Sequence, residues 1–597
     1  MKYSDQVVDW LVEEGYTHCF FVAGGNIMHL LDSARTRVTC IPFVHEVAAT
    51  VAAEYFTQTS EPGGGKAFVM VTAGPGITNA LTGMAGAWLD SRELLVIGGQ
   101  VKRSDLADGG IRQRGIQEVD GLRLAAPVCK RVLRVEVPED RATIVSAVRE
   151  GATPRKGPVF IEMCLDAQAA SPVDGARAIR PSEPPALEQV ADDAVARVVA
   201  LAAASERPVI LLGGGVTRET ARAVAGRLAE VGIPVMLTWN GADRLPTDHP
   251  VFAGRPNTWG QRFANVGIQQ ADLVIAIGAR LGLQQTGFAW EDFAPLATVV
   301  HVDIDGAELA KGRPSVDVNL RGDANAFLPE FLGRVTPAPA WDEWRSFLAR
   351  VRAELPLNDP QNVTAPGYVP PYELMMRLAE IAGEDDIIIP CSSGGALTVT
   401  MQALQPRGRQ RVVINTALAS MGYGLSGAIG ASLANPGRRT FLTEGDGGFA
   451  QNLQELGTVA VNRLPLKILL LANDGYASIR MTQRNYFNGS WVGCDSSTGL
   501  GLPDWGLLAS AYKIPYARMD PTIGFGGEVG QLLVSNGPSL IEVPIDPEQT
   551  YFPKIMSAVQ ADGSMKSNPL HVMHPLLDER TGATVLQYMA KREEGNE

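Results

Sequence analysis

Two stretches decide the fold: RTFLTEGDGG (residues 439–448) and KILLLANDG (467–475). Each is an apolar run of strand length that ends in small residues and a hard oxygen ligand, and the chain between them is expected to form one amphipathic helix. Strand, helix and strand in this order form a right-handed crossover with the two strands as parallel neighbours. Asp446 and Asn473, just past the two carboxyl ends, therefore converge although a helix separates them. The backbone N–H groups of Gly447 and Gly448, with the helix amino end behind them, suit a phosphate. An Asp, an Asn amide oxygen, a nearby backbone carbonyl and diphosphate oxygens would give Mg²⁺ its octahedral oxygen shell. Alone, Gly-Asp-Gly is more often a tight turn after a strand, so the remainder of the chain has to decide.

Composition sets the outer limits. A chain of 597 residues exceeds what one core can bury and suggests about three or four domains. It is 45% hydrophobic and rich in Gly, with 20% charged residues, as α/β enzymes are. A net charge of −13 without a basic cluster argues against nucleic acid and anionic membranes as partners. No apolar run reaches membrane-spanning length, and the first ten residues enter an amphipathic helix with no signal-peptide pattern. The six cysteines (19, 40, 129, 164, 391 and 494) lack metal-finger or Cys-x-x-Cys spacing. Buried free thiols in a reducing cytoplasm are the expected reading.

The hydrophobic pattern predicts an α/β protein of three doubly wound parallel-sheet domains. In the first, residues 1–170, the runs CFFVA (19–23), CIPFV (40–44), AFVMVT (67–72) and LLVIGG (94–99) alternate with helical stretches. RPSEPPA (180–186) reads as a linker. The second, 188–335, holds PVILLGGG (208–215), PVMLT (234–238), DLVIAI (272–277) and TVVHVDI (298–304). A Pro-rich connection from TPAPA (336–340) to PGYVPP (366–371) leads to the third, 372–555, which carries Asp446 and Asn473. A tail, 556–597, has little periodicity and is expected to lie over another domain.

His45 and Glu46 close a strand-like run and open the Ala-rich helix EVAATVAAEYF. An isolated Glu there is ordinarily a first-turn residue favoured by the helix dipole, but the carboxyl end of a strand is where open α/β sheets place their sites. Together with Gly-Asp-Gly and its following Asn, the segment resembles the thiamin diphosphate enzymes, and among them the acetolactate synthase family. TAGPGITN (72–79), GGQV (98–101), QEVD (117–120) and SMGYGLSGAIGA (420–431) are similar to that family's segments in the same order. The resemblance runs over essentially the whole chain. It implies thiamin diphosphate and Mg²⁺ as cofactors, with Asp446, Asn473 and the Gly475 carbonyl on the metal and Glu46 and Gln117 as catalytic residues. The implied cofactor site comprises Gly24, Gly25, Glu46, Pro75, Asn79, Ser393, Gly394, Met421, Gly445, Asp446, Gly447, Gly448, Asn473, Gly475, Tyr476 and Ala477. Glu46 would promote the imino tautomer of the aminopyrimidine, a general acid-base task. Met421, otherwise core filler, would prop the cofactor. The family's active sites form between subunits, which implies at least a homodimer, with a dimer or a tetramer left open.

Two departures concern the acceptor. The stretch RLGLQQTG (280–287) has Gln284 where the synthases place the Arg that meets the acceptor carboxylate. Thr482 stands where they place a pocket-closing Trp. A neutral amide cannot form the bidentate charge-assisted pair that favours a carboxylate, so these positions imply a different and wider acceptor pocket. The pattern resembles the smaller branch of carboligases that decarboxylate pyruvate and transfer acetyl to a ketone of a nucleotide-linked deoxysugar, as in yersiniose formation. A plain acetolactate synthase, a 2-oxo acid decarboxylase or oxidase, and a non-catalytic cofactor-binding paralogue are the alternatives. The middle domain resembles the family's FAD-binding domain, but Gly-rich strand ends occur without any dinucleotide, so FAD stays open.

Overall fold

A computed structural model describes residues 1–108, 110–173, 187–559 and 565–589. The linker expected at 180–186 lies outside the described residues. Three parallel sheets carry the chain. The first has strands β1 (Tyr16–Phe21), β2 (Thr39–Pro42), β3 (Lys66–Val71), β4 (Leu94–Gln100), β5 (Arg131–Val135) and β6 (Pro158–Cys164), in the order β2-β1-β3-β4-β6-β5. The middle sheet has β7 (Pro208–Leu212), β8 (Val235–Leu237), β9 (Leu273–Ile277), β10 (Thr298–Asp303) and β11 (Val318–Arg321), in the order β11-β10-β9-β7-β8. The last has β12 (Ile387–Pro390), β13 (Arg411–Val412), β14 (Thr440–Gly445), β15 (Leu466–Ala472), β16 (Tyr516–Arg518) and β17 (Ser539–Pro544), in the order β13-β12-β14-β15-β17-β16. Numbered within each sheet, the first and last share one topology, 2-1-3-4-6-5. Central strands such as β4 and β6 are buried along their whole length, which is why they read as continuous apolar runs.

The chain forms two compact units, one containing the first sheet and the last sheet apart from β13, and the other the middle sheet, residues 398–412 and the C-terminal segment. In the first unit the helix Glu46–Thr59 packs on the helix Tyr423–Ala434. Both are lined with small residues, and a Cβ on Gly430 would stand 2.0 Å from the Ala52 carbonyl oxygen. A buried polar network crosses the same seam. Arg92 donates to Glu54 at 2.6 Å, Tyr423 Oη donates to the other Glu54 oxygen at 2.5 Å, and Asn415 donates to Glu54 at 3.1 Å. The carboxylate's acceptor sites are thereby satisfied, the condition for keeping a charge in a core.

In the second unit the described part of the tail completes the core: Leu570, Met573 and Val585 are buried with Phe263, Trp344 and Phe347. Gln270 ties it down by donating to the Val585 carbonyl at 2.8 Å and accepting from Tyr588 N–H at 3.0 Å. One local expectation fails. Instead of a single helix between β14 and β15 there are a helical turn Asp446–Phe449, a 3₁₀ turn Leu453–Glu455 and a short helix Leu456–Val461. Gly447 and Gly448 weaken the first segment, and Asn452, at φ −133°, leaves helical geometry and donates instead to the Gly422 carbonyl at 2.8 Å. Among the described residues no helix is long and apolar enough to cross a membrane.

Gly430→Ala should destabilise the protein by about 3 kcal/mol or more, because the added methyl meets backbone in a packed core and outweighs the roughly 1 kcal/mol helix gain from Ala. Gly226→Ala, on a helix with nothing within 4 Å of its Cβ, should be neutral or slightly stabilising. Denaturation midpoints of the two variants should fall on opposite sides of wild type or, for Gly226→Ala, on it; a neutral Gly430→Ala would refute the seam as described.

Candidate active site

β14 and β15 pair in parallel with Gly445 opposite Leu471, so Asp446 and Asn473 emerge from adjacent strand ends. Asp446 is 1% exposed. Its carboxylate accepts from the N–H groups of Gly447 (2.8 Å), Asn473 (2.9 Å) and Gly475 (3.2 Å). Burial nevertheless pushes its pKa up to about 6, against the lowering by those bonds. The Asn473 amide directs one atom at Asp446 Oδ1 and at the Gly475 carbonyl, 3.2 and 3.1 Å away. Turned one way this atom is the NH₂ group and donates to both. Turned the other way it is Oδ1, which then faces the Asp446 and Gly475 oxygens at nearly the edge length of an Mg²⁺ octahedron, about 3.0 Å for ligands at about 2.1 Å. A divalent cation removes the repulsion of that second arrangement, and the residues fit one. Among the described residues no group of three His, Cys, Asp or Glu side chains could hold a metal.

The loop that presents Gly475 is held on both sides. Asp474 (φ +59°) and Gly475 (φ +112°) are left-handed, and a Cβ on Gly475 would stand 2.4 Å from the Cys494 carbonyl oxygen, so only glycine fits. Arg480, buried, donates to the carbonyls of Asn473 at 2.6 Å and Asp474 at 2.8 Å. With those two carbonyls engaged, the Gly475 oxygen is the one turned to the Asn473 amide, and the Ala477 N–H also reaches it at 3.1 Å. Tyr476 stacks so closely that a Cβ on Gly447 would meet its ring at 2.5 Å, and one on Gly448 would touch a Glu444 carboxylate oxygen at 3.4 Å, while Gly445 leaves open space of the kind a phosphate needs. Ser393 precedes the helix that begins at Gly394 (φ +78°). Met421, 40% exposed, stands just before the helix Tyr423–Ala434.

On the first sheet, Glu46 opens its helix at 8% exposure and accepts a hydrogen bond from Asn79 Nδ2 at 2.9 Å. Two candidate residues thirty-three positions apart thus meet. Pro75 begins the helix that carries Asn79, after Gly74 at φ +66°, whose Cβ would lie 2.4 Å from the Gln117 carbonyl oxygen. Gln117 is itself left-handed at φ +63°, a strain that marks functional loops. Its neighbour Glu118 holds that loop by accepting from Arg114 and Gly115 N–H at 2.8 and 2.9 Å. Gly24 is packed on Thr72, with a Cβ contact of 2.4 Å, whereas Gly25 faces open space.

Sequence reasoning missed Glu455 and Arg480. Glu455 accepts from the N–H groups of Val44 (3.1 Å) and His45 (3.0 Å) and from Thr458 Oγ1 (2.6 Å), fixing the turn that aims Glu46. Nothing near Glu455 in sequence signals a partner 410 positions away. Arg480 could have been suspected as the cation one turn into the helix after Gly475. The acceptor positions are less defined. Thr482 is exposed and donates to the Ser478 carbonyl of its own helix at 3.0 Å. Gln284 is exposed, with only its backbone carbonyl engaged, by Thr258 N–H at 2.8 Å. The two lie in different compact units. In the middle sheet, Cβ atoms on Gly213 and Gly215 would stand 2.0 and 2.9 Å from Gly278 backbone atoms. Close packing of strand ends explains these glycines without any dinucleotide.

Comparison with known proteins follows the same division. Residues 1–124 match the N-terminal TPP binding domain of thiamine pyrophosphate enzymes, 195–331 their central domain and 393–543 their C-terminal TPP binding domain. The chain belongs to the thiamine pyrophosphate enzyme family. It is 30% identical to acetolactate synthase isozyme 1 large subunit of Escherichia coli, over 92% of this chain and 95% of that protein. It is equally similar, at 30%, to the probable acetolactate synthase large subunit of Methanocaldococcus jannaschii (92% and 93%) and to isozyme 2 of E. coli (93% and 97%). This enzyme is thus acetolactate synthase-like, with thiamin diphosphate as its cofactor.

Asp446→Ala removes the one carboxylate of the metal set. It should abolish Mg²⁺-dependent retention of thiamin diphosphate, and EDTA should do the same to wild type. Equilibrium dialysis of the cofactor checks this, and unchanged affinity in the variant would contradict the assignment.

Proposed function

We propose that this enzyme decarboxylates pyruvate and transfers the acetyl unit to a ketone acceptor other than a second pyruvate, with a nucleotide-linked keto-deoxysugar as the acceptor class. The observation that carries catalysis is the buried Glu46 carboxyl held by Asn79, which a scaffold would not need. When bound, thiamin diphosphate supplies the nucleophilic carbon and electron sink that 2-oxo acid decarboxylation requires. Glu46 would hold and move the proton at the aminopyrimidine, with Asn79 fixing its orientation. Asp446, Asn473 and the Gly475 carbonyl would hold the Mg²⁺ that neutralises the diphosphate. The open face at Gly445 and the Gly448 N–H would admit its oxygens, and Met421 would set the cofactor's bend. The Ala-rich surround of Glu46 keeps water from the reacting carbon, which favours carboligation over protonation.

The resemblance to acetolactate synthases, whose active sites form between subunits, supports a homo-oligomer in which a second copy completes the site. The acceptor reading rests on Gln284 and Thr482. Similarity to acetolactate synthases over most of the chain favours a second reading, with a second pyruvate as acceptor. The packing of Gly213 and Gly215 gives FAD no support of its own, and we do not include it.

Glu46→Gln should preserve fold and cofactor binding and slow hydrogen–deuterium exchange at thiamin C2 by about a hundredfold or more. Near wild-type exchange would remove Glu46 from the mechanism.

In competition between labelled pyruvate alone and a panel of bulky neutral and sugar ketones, mass spectrometry should find the branched ketone product in excess over acetolactate. Gln284→Arg and Thr482→Trp, measured singly and together because pocket substitutions need not add, should shift the ratio toward acetolactate. A gained charge-assisted pair supports about ten- to a hundredfold. Acetolactate as the preferred wild-type product with every ketone offered would replace this reading by the synthase one.

A further inference from the structure

The second compact unit contains a cavity of about 490 Å³ away from every candidate residue above. It opens beside β8, the edge strand of the middle sheet, at its amino end: Pro234 immediately before β8, the segment 247–253 and Arg345, Leu348 and Arg352 of the helix Pro339–Glu354 form its walls, with Gln405 and Arg407. The Gly213–Gly215 turn follows the carboxyl end of β7, so this is not the strand end at which a dinucleotide would be sought.

Its lining carries more positive than negative charge. The lining contains three guanidinium groups, Arg345, Arg352 and Arg407, and one carboxylate, Asp248. At the rim, Arg345 pairs with Asp342, and Arg407 with Glu380 at 3.7 Å. Arg352 has no such partner among the described residues. Its guanidinium lies over the rings of Phe252 and Phe263, 5.5 and 5.6 Å from their centres, and donates only to the neutral Gln405 amide oxygen at 3.2 Å. Behind it Arg255, outside the lining and 1% exposed, donates to the carbonyls of Met401 (3.1 Å) and Leu404 (2.5 Å), while its Nη1 has no partner. Burial lowers the pKa of both guanidiniums, and that of Arg255, pushed down to about 9, is lowered further by repulsion from Arg352. Two desolvated cations within electrostatic reach and without a counter-charge are costly. An anion delivered into the cavity relieves that cost, and the exposed edge of a guanidinium already stacked on aromatic faces is the part that grips an oxyanion bidentately.

We propose that this cavity is a second ligand site, which takes a small organic oxyanion, phosphate or carboxylate, with the charged group on Arg352 and the body against Phe252 and Phe263. The volume lies in the range of small-molecule pockets, about 300–1,000 Å³, so an organic body fits as well as the charged group.

The test is isothermal titration of full-length protein saturated with thiamin diphosphate and Mg²⁺, using inorganic phosphate, citrate and AMP as probes. At least one probe should bind saturably, one per chain, and about tenfold or more weakly in Arg352→Gln. Tightest binding of citrate assigns a carboxylate ligand, and tightest binding of phosphate or AMP a phosphate ligand. Asp446→Ala, which should lose the cofactor, should keep the anion; loss of both would place the anion in the diphosphate site and overturn the proposal. So would no saturable binding of any probe, or affinity unchanged by Arg352→Gln. If Arg352→Gln does not fold, Arg345→Gln and Arg407→Gln at the rim carry the test, and unchanged affinity in both refutes it. Self-association sensitive to Arg352→Gln without anion binding would assign the face to a second copy and also overturn it.

Discussion

In the larger unit the helix that begins at Glu46 and the helix that follows Met421 touch backbone to backbone, because Gly430 leaves nothing between itself and the Ala52 carbonyl. That contact tolerates no added atom, and packed interiors transmit such constraints rather than absorb them. It sets the register between the first and last sheets, which the Glu54, Arg92, Tyr423 and Asn415 network then locks with hydrogen bonds that have geometry as well as area. Glu46 and Met421, at the amino ends of the two helices, inherit their positions from it. Glu455 adds a second tie between the same two sheets at the residues just before Glu46.

The metal end obeys a different constraint. Asp446 is buried, hydrogen-bonded by three backbone N–H groups and still driven toward its neutral form, and the Asn473 amide has two orientations of opposite electrostatic meaning. A site of this kind is poised rather than satisfied: a cation would make the oxygen-inward orientation favourable. Arg480 matters because it engages the carbonyls of Asn473 and Asp474 and so leaves the Gly475 carbonyl to face inward.

The middle sheet separates packing from ligand chemistry. Its glycine-rich strand ends, which sequence similarity associates with a flavin, are accounted for by close approach to Gly278. At the opposite end of that sheet, Arg352 and Arg255 have no carboxylate partner among the described residues.

What the sequence by itself determined follows from periodicity and local chemistry. Buried parallel strands read as continuous apolar runs, and a right-handed crossover between neighbours brings Asp446 and Asn473 together whatever the helix between them does. That helix proved to be broken, since Gly447, Gly448 and Asn452 have local preferences that a hydrophobic pattern does not register. Glu46, which alone would read as a first-turn helix residue, was legible because it stands at the carboxyl end of a strand, where open α/β sheets place their sites, in a segment that resembles the synthases. The tertiary structure alone decided that Asn79 holds Glu46, that Glu455 pins His45, that Arg92 neutralises Glu54 and that Arg352 stands without a counter-charge. Each is a pairing, or a missing one, between residues tens to hundreds of positions apart, and hydrogen bonds and ion pairs depend on distances of a few ångströms that only the packed chain defines.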